Sequence, residues 1–185
     1  MRKALSIRHI KAILKGLIVS CFFKIICRHF FTSGVALRLY SRSEVHVSHK
    51  SSLIFGKWVS IGKDSVISVQ NTGKLSIYSH VGVSSNCRIV CHNQIEIGEN
   101  SILGPNVMIY DHDHVYDHNG VKPRNFLTAP IKIGKNCWIG ASAIILKGTV
   151  IGDNCVIAAG SIVHGTIPNN TLFVQKRETT MKEIN

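Results

Sequence analysis

The chain has 185 residues, a formal net charge of +12 and 15 glycines. This length is sufficient for one domain with a buried core, and the glycines suit many tight corners. The basic residues are not interleaved with aromatic side chains, so we expect no nucleic-acid partner. The six cysteines lack the repeated C-x₂-C spacing of a metal site. Cys137 and Cys155 are interpreted as buried thiols, and a reducing cytoplasm fits this cysteine usage best.

Residues 1–31 are dense in apolar side chains and in positive charge. On a helical projection Arg8, Lys11 and Lys15 share one face, and the charged residues after 16–20 lie on a different face. This pattern favours two short helices or one broken helix over a single straight helix. The longest uncharged run has 8 residues, far fewer than the roughly 20 that cross a bilayer. No cleavage site of small residues follows, so we expect no signal peptide.

Two interpretations of this N-terminal segment stay open, and they are compatible with each other. Its lysines and arginines, beside Phe22, Phe23, Phe30 and Phe31, favour peripheral contact with the inner face of the cytoplasmic membrane. Alternatively, residues 1–31 pack on the end of the following domain or against a second subunit.

A six-residue rhythm of aliphatic side chains begins weakly near Val45 and continues to about residue 170. Neither a helix nor an ordinary alternating strand has this period. We therefore divide the chain into a helical N-terminal segment at 1–44, a repeat domain at 45–170 and a C-terminal tail at 171–185.

The rhythm breaks in two places. Between Ile89 and Ile97 the step is eight residues, which predicts that two extra residues bulge at 92–94. Within residues 111–129 the six-fold count would bury polar side chains such as Asn119 without partners. We therefore predict that residues 111–129 leave the repeat as an extruded loop, where function often resides.

The most regular part of the rhythm follows this loop. Every sixth residue is aliphatic without a miss, at Ile133, Ile139, Ile145, Ile151, Ile157 and Val163. Four positions after these come mostly small residues: Cys137, Ala143, Thr149, Cys155 and Ser161. The pattern predicts triangular coils of three hexads, with the aliphatic side chains stacked inside and the small residues at the corners.

The run PIKIGKNCWIGASAIILKGTVIGDNCVIAAGSIV at residues 130–163, with YDHDH at 110–114, resembles the hexapeptide-repeat acyltransferases. It looks most like the group of galactoside, maltose and serine acetyltransferases and the sugar O-acetyltransferases of polysaccharide assembly. The resemblance covers roughly residues 50–170. It implies an all-β fold, a left-handed parallel β-helix, to which the helical N-terminal segment and the extruded loop are added.

The resemblance also implies an acetyl-CoA-dependent acyltransferase that moves an acetyl group to a saccharide hydroxyl in surface polysaccharide or glycan biosynthesis. In the resembled family a loop histidine takes the hydroxyl proton, and histidine is suited to this because its ordinary pKa is about 6.5. The match assigns this role to His114, with His112 as the second choice. Asp111 or Asp113 would orient the ring. Nothing near them resembles an activated serine or cysteine, so we expect direct transfer without an acyl-enzyme.

The resemblance places the pantetheine arm of coenzyme A along the outer groove of the last coils. It carries over to Ala141 and Ala159, where small side chains admit the arm, and Trp138 is expected to form a wall of the site. The same small residues are also explained by tight packing at the corners.

The chain departs from the family pattern at two further positions on the coenzyme side. His164 and Gly165 stand where the family often has Thr-Lys, and this removes an expected phosphate contact. Lys176 and Arg177 follow in place of a Gly-Asn-Pro-Ala-Lys-like turn, and they are expected to supply charge for the nucleotide phosphates instead.

On the acceptor side the resemblance points to Asn86, on the coil before Ile97. A β-helix leaves flat faces exposed, and the loop needs a neighbour to form a cleft, so we expect a homotrimer with interfacial active sites. We expect no metal. Three alternatives stay open: an N-acetyltransferase acting on an amino sugar, a zinc carbonic anhydrase of the same fold, and a non-catalytic β-helix scaffold.

Overall fold

The computed structural model of the chain describes residues 7–26, 31–34, 36–176, 178 and 180–183. One helix, α1 (Ile7–Ile26), precedes a long series of short strands. The strands are, in chain order, β1 (Phe31–Ser33), β2 (Arg38–Leu39), β3 (Glu44–Val47), β4 (Ser52–Phe55), β5 (Ser60–Ile61), β6 (Val66–Val69), β7 (Lys74–Ile77), β8 (Gly82–Val83), β9 (Arg88–Cys91), β10 (Gln94–Ile97), β11 (Ile102–Leu103), β12 (Met108–Tyr110), β13 (His112–Asp117), β14 (Gly120–Thr128), β15 (Ile131–Ile133), β16 (Trp138–Ile139), β17 (Ile144–Ile145), β18 (Val150–Ile151), β19 (Val156–Ile157), β20 (Ile162–Val163), β21 (Thr166–Ile167) and β22 (Leu172–Phe173).

Apart from β13 and β14, these strands form three parallel sheets that successive strands visit in turn. Sheet A has the order β1-β4-β7-β10-β15-β18-β21, sheet B the order β2-β5-β8-β11-β16-β19-β22, and sheet C the order β3-β6-β9-β12-β17-β20. Each circuit through sheets A, B and C is one coil, and equivalent residues of adjacent coils pair directly, as Ile97 does with Ile133 and Ile133 with Ile151. The all-β solenoid of three-sided coils is confirmed.

The core runs along the axis of the solenoid. The six aliphatic residues of the regular repeat are between 0% and 1% exposed. The small residues that follow them are buried as well, including Cys137 and Cys155. The repeat therefore stabilises the chain by stacking, since each coil covers the apolar face of its neighbours.

The coils begin and end outside the predicted boundaries of 45 and 170. Strand β1 already pairs with β4, and β2 with β5. At the other end β22 completes sheet B by pairing with β19. The first coil was not predicted because Ser33 occupies the position that is apolar in later coils, so Leu39 alone precedes Val45 in the six-residue count.

The prediction of two short helices or a broken helix is wrong, because α1 is one continuous helix. It packs on the first coils through Ala12, Gly16 and Ser20, which are buried. A Cβ atom at Gly16 would overlap the carbonyl of Leu37, so only glycine permits this close contact. Among the described residues, no helix combines the length and the apolar content that crossing a bilayer requires.

The corner that joins sheet A to sheet B carries a ladder of asparagines. Asn100, Asn136, Asn154 and Asn170 all have a positive φ, between 54° and 59°. Each of the first three donates from Nδ2 to Oδ1 of the next, over 3.0 to 3.2 Å. Asparagine tolerates this left-handed backbone better than other residues with a side chain, so the ladder both permits the turn and ties adjacent coils together.

Candidate active site

The chain leaves the solenoid where sheet C would pass to sheet A, at the CA corner. Segment 111–129 does project outward as predicted, and it forms an antiparallel hairpin of β13 and β14. The backbone N–H of Ala129 donates to the carbonyl of Asp111 over 3.0 Å and closes the base of this hairpin. The candidate site is therefore anchored on the rigid coils.

One coil earlier, at the same corner, His92 and Asn93 lie between the end of β9 and the start of β10. They are the extra residues of the eight-residue step. Their backbone N–H groups donate to the carboxylate of Asp111, over 2.8 Å from His92 and 2.7 Å from Asn93. Asp111 is completely buried, so these bonds replace the water that a buried carboxylate loses.

The same carboxylate holds the first candidate histidine. His112 Nδ1 lies 3.2 Å from Asp111 Oδ1, and its side chain is 12% exposed. A carboxylate that accepts from Nδ1–H fixes the tautomer and leaves Nε2 as the basic nitrogen. The arrangement is a carboxylate-oriented imidazole, the form in which a histidine accepts a proton from a substrate.

Aromatic packing fixes the plane of this imidazole. The His92 ring stacks on His112 with centroids 3.9 Å apart, and Phe126 of β14 places an edge against both rings. Asn71 Nδ2 lies 2.9 Å from His92 Nδ1. Burial, followed by the charge of the neighbouring His112, lowers the pKa of His92. His92 is therefore a neutral platform under His112 near neutral pH.

His114 occupies a different setting. It lies exposed further along β13, with its ring 4.8 Å from that of Phe126. Its neighbour Asp113 forms an ion pair with Lys147 over 2.9 Å. Of the two candidate histidines, His112 is the one that contacts a carboxylate among the described residues, which reverses the order of preference derived from the sequence.

The residues expected to hold the pantetheine arm lie elsewhere on the solenoid. Ala141 and Ala159 are stacked on adjacent coils at the BC corner, where sheet B passes to sheet C, and Gly160 N donates to Ala141 O over 2.8 Å. Trp138 lies on the neighbouring strand β16 and is 57% exposed. These three residues share one edge of the triangular cross-section.

The remaining predicted residues divide between the corners. Asn86 is exposed at the BC corner, with a φ of 59°. His164 and Gly165 lie at the CA corner, between β20 and β21, in the same row as the hairpin base. Lys176 is exposed, and Arg177 lies outside the described residues. Within one chain, the structure thus brings His164 and Gly165 toward the side of His112 and keeps Asn86 and Ala141 on another edge.

Metal coordination is an alternative role for the histidines. No group of three or more His, Cys, Asp or Glu side chains is arranged to hold a metal ion in the part of the chain that the structure describes.

The chain is similar in sequence and in fold to known acyltransferases. Residues 130–164 match the family model described as the hexapeptide repeat of succinyl-transferase. A galactoside O-acetyltransferase of Escherichia coli K12 is 32% identical over 143 residues, which are 75% of this chain and 70% of that protein. The chain belongs to the hexapeptide-repeat acyltransferases.

Two further relatives show the extent of the likeness. A Mycobacterium tuberculosis protein named as an acetyltransferase is 30% identical over 155 residues, or 82% of this chain, which spans about half (51%) of that protein. The crystal structure of AntD, an N-acyltransferase from Bacillus cereus, superposes with a TM-score of 0.69 at 20% identity and covers 83% of this chain and 82% of its own. The latter shows the fold, the left-handed parallel β-helix of this acyltransferase family.

Sequence reasoning missed three parts of the site in this acyltransferase. His92 and Phe126 contact the ring of His112, and Asn71 lies against His92, yet none of the three was expected at the candidate site. The eight-residue step near His92 was a usable signal, because it marks the one bulge next to the hairpin. Phe126 had no such signal, since its contact with His112 depends on the pairing of β13 with β14.

Proposed function

We propose that this hexapeptide-repeat acyltransferase transfers an acetyl group from acetyl-CoA to a hydroxyl group of a saccharide, with His112 as the general base. The observation that carries the proposal is the pair formed by buried Asp111 and His112 at the hairpin base. The similar galactoside O-acetyltransferase supports an acyl-CoA donor and a sugar acceptor. The proposed setting is surface polysaccharide or glycan assembly.

The proposed chemistry is a direct transfer. His112 Nε2 takes the proton of the acceptor hydroxyl while the hydroxyl oxygen attacks the thioester carbonyl. The new C–O bond forms, the C–S bond breaks, and the proton held on His112 passes to the departing sulfur. Asp111 stabilises the imidazolium that exists between these two proton transfers, because its negative charge lies against Nδ1.

The donor and the base lie on different edges of the chain, and this supports an interfacial site. The residues proposed for the pantetheine arm lie at the BC corner, and His112 lies at the CA corner. Two corners of one triangular prism cannot meet, whereas the CA corner of one copy and the BC corner of another meet when copies stand side by side. We therefore propose a homotrimer with three equivalent sites between subunits.

The proposed compartment is the cytoplasm. The five cysteines among the described residues are free thiols, and Cys87, Cys91, Cys137 and Cys155 are buried. Burial raises the pKa of the thiols of Cys87, Cys91 and Cys137. Such protonated, inert thiols suit structural positions in a reducing compartment.

The test is to offer the purified chain acetyl-CoA together with a panel of sugars and glycans, and to identify products by mass spectrometry. We expect an acetylated saccharide whose acetyl group is lost under mild alkali, because an ester is cleaved there and an amide is not. An alkali-stable product formed only from amino sugars would establish N-acetylation instead. Binding of coenzyme A by calorimetry without any acetylated product would favour the scaffold alternative.

A further inference from the structure

Helix α1 packs on the solenoid through a face of small residues, whereas an amphipathic helix usually buries its apolar face. Ala12, Gly16 and Ser20, spaced four residues apart, form the buried face. Lys15 strengthens the attachment, since its Nζ donates to the carbonyl of Ser43 over 2.6 Å. Small and polar groups thus make most of the contact, and Val19 is the apolar side chain of α1 that packs against the core of the solenoid.

Most large apolar side chains of α1 point away from the protein, while Ile13 and Val19 are partly buried. Six of them are between 45% and 73% exposed, namely Ile7, Ile10, Leu14, Leu17, Ile18 and Phe22. Their spacings of three, four and seven residues place them on one stripe of the helix. We call this stripe the outer face of α1. A surface helix of a globular protein ordinarily buries such a stripe, so its exposure indicates a docking surface.

Positive charge borders the outer face. Arg8 and Lys11 are exposed beside it, and with Lys15 and Lys63 they line a cavity of about 540 Å³ between α1 and the first coils. Lys63 lies 3.6 Å from Asp64, whose carboxylate is also bound by Arg42. No acidic side chain is among the residues that line the cavity in the described part of the chain.

The charge decides between the two candidate occupants of the outer face. A second copy docked on this face through the same helix would bring like charges together, because each copy borders the face with Arg8 and Lys11. A bilayer surface that contains anionic lipid complements both features, since its headgroups attract the cations and its acyl boundary accepts the apolar side chains.

We propose that α1 is a membrane-surface helix, held on the first coils by its small-residue face and inserted by its outer face into the headgroup region of an anionic bilayer. The cationic cavity beside it receives the phosphate of a lipid headgroup. The helix lies in the plane of the surface and does not cross it. The attachment is independent of the proposed acetyl transfer, whose residues lie on later coils.

The test measures binding of the full chain to phosphatidylglycerol vesicles at low salt, with phosphatidylcholine vesicles as the neutral comparison. We expect binding to the anionic vesicles alone, weakened by added salt. The double variant Leu14→Gln/Ile18→Gln should lower the partition coefficient more than tenfold, and glutamine keeps the helix intact. The matched control Ile54→Gln/Met181→Gln removes exposed apolar groups outside α1 and should bind as the unmodified chain does.

The charged border is tested separately. Lys11→Gln should weaken binding about fivefold, the effect of one cation near an anionic surface. Lys50→Gln removes an exposed lysine of the coils and should have no effect. A fluorophore on Cys21, exposed on α1, should shift to the blue with vesicles in a Cys27→Ser background.

Three results would overturn the proposal. The first is failure of the full chain to bind anionic vesicles at low salt. The second is a Leu14→Gln/Ile18→Gln variant that still binds them fully. The third is a change in oligomeric mass of that variant by light scattering with vesicle binding unchanged, which would make the outer face a subunit contact. Acetyl transfer to a soluble acceptor, measured without vesicles, should be equal in all these variants and reports on the proposed activity alone.

Discussion

Both the corners of the regular coils and the corner that carries the hairpin contain buried polar groups, but these groups find different hydrogen-bond partners. In the regular coils a small hydroxyl satisfies itself locally: Thr149 Oγ1 donates to Leu146 O over 2.6 Å, and Ser161 Oγ to Ala158 O over 2.7 Å. At the hairpin corner the buried group is the carboxylate of Asp111, which accepts from the bulge and from an imidazole. The first kind of corner is closed, whereas the second keeps a basic nitrogen available.

This difference explains where the chemistry is placed. A corner with a local hydroxyl bond can repeat indefinitely, because every coil supplies its own donor and acceptor. A buried carboxylate needs donors from outside its own turn, and the bulge at His92 and Asn93 provides them from the preceding coil. The two interruptions of the repeat are therefore one structural unit. The regular coils hold it in place on both sides.

The largest effect, a loss of kcat, is expected when the proposed base at the hairpin corner is removed. His112→Ala should lower kcat by about 10²–10⁴ because it removes the positioned base, while affinity for coenzyme A is retained. His114→Ala should change kcat by less than tenfold, since His114 is exposed and lies away from the buried carboxylate. Steady-state kinetics and calorimetry on both variants provide the measurement.

The outcome also decides between the two histidines. A loss in His114→Ala that exceeds the loss in His112→Ala would make His114 the base and would mean that the hairpin rearranges against a neighbouring subunit. If neither variant slows turnover tenfold, the base lies outside the hairpin.

The regular coils are tested by comparing the two sides of one sheet. Ile139 points into the core and is 0% exposed, whereas Ile102 points outward from the neighbouring strand and is 53% exposed. Ile139→Ala should lower the free energy of unfolding by about 2–5 kcal/mol, through lost transfer free energy and a cavity. Ile102→Ala should lower it by less than about 0.5 kcal/mol. Urea unfolding compares them, and equal losses would contradict the inward and outward assignment.

The regular coils were also the part that the sequence predicted best. Ile133 to Val163 could be placed in the core because burial repeats with the same period as the residue type. The extruded segment was predicted for a related reason, since a coil through Asn119 would bury unpaired polar groups. Both inferences need only the local pattern of apolar and polar residues, which a single sequence contains.

The parts that were missed depend on contacts between distant residues. The preference for His112 over His114 comes from the burial of Asp111, whose carboxylate accepts from His92 and Asn93, and from the stack of His112 on His92. Both features join residues that are about twenty positions apart in the sequence. The buried face of α1 was not predicted, for the same reason. Leu14 and Ile18 look like core residues by type, yet Gly16 allows an approach to Leu37 that only the opposite face can make.

A smaller effect is expected at the asparagine ladder, a regular corner whose backbone is strained. Asn154 has a φ of 56° and bonds to Asn136 and Asn170. Asn154→Ala should cost about 1–2 kcal/mol in the free energy of unfolding, since alanine adopts this conformation less readily. Asn154→Gly should cost less, and Asn125→Ala, at an exposed hairpin position, should be nearly neutral. Thermal and urea unfolding measure all three. Equal losses for glycine and alanine would mean that the ladder bonds, which both variants lack, outweigh the backbone strain.

The smallest expected effect is the pH dependence of the free energy of unfolding that arises from His92 at the hairpin corner. The pKa of His92 lies below its ordinary value of 6.5, chiefly because of burial; His112 and His114 lower it further, and Asp111 raises it. When the pH is below the ordinary pKa of 6.5, the unfolded chain therefore binds more protons at His92 than the folded chain does. The free energy of unfolding consequently falls as the pH decreases through about 6.5. The free energy of unfolding should drop between about pH 7.5 and about pH 5, and it should drop by less in His92→Gln. His118→Gln, at an exposed histidine of the hairpin, should retain the full pH dependence. If His92→Gln loses as much stability on acidification as the unmodified chain, the neutral platform under His112 does not contribute to this pH dependence.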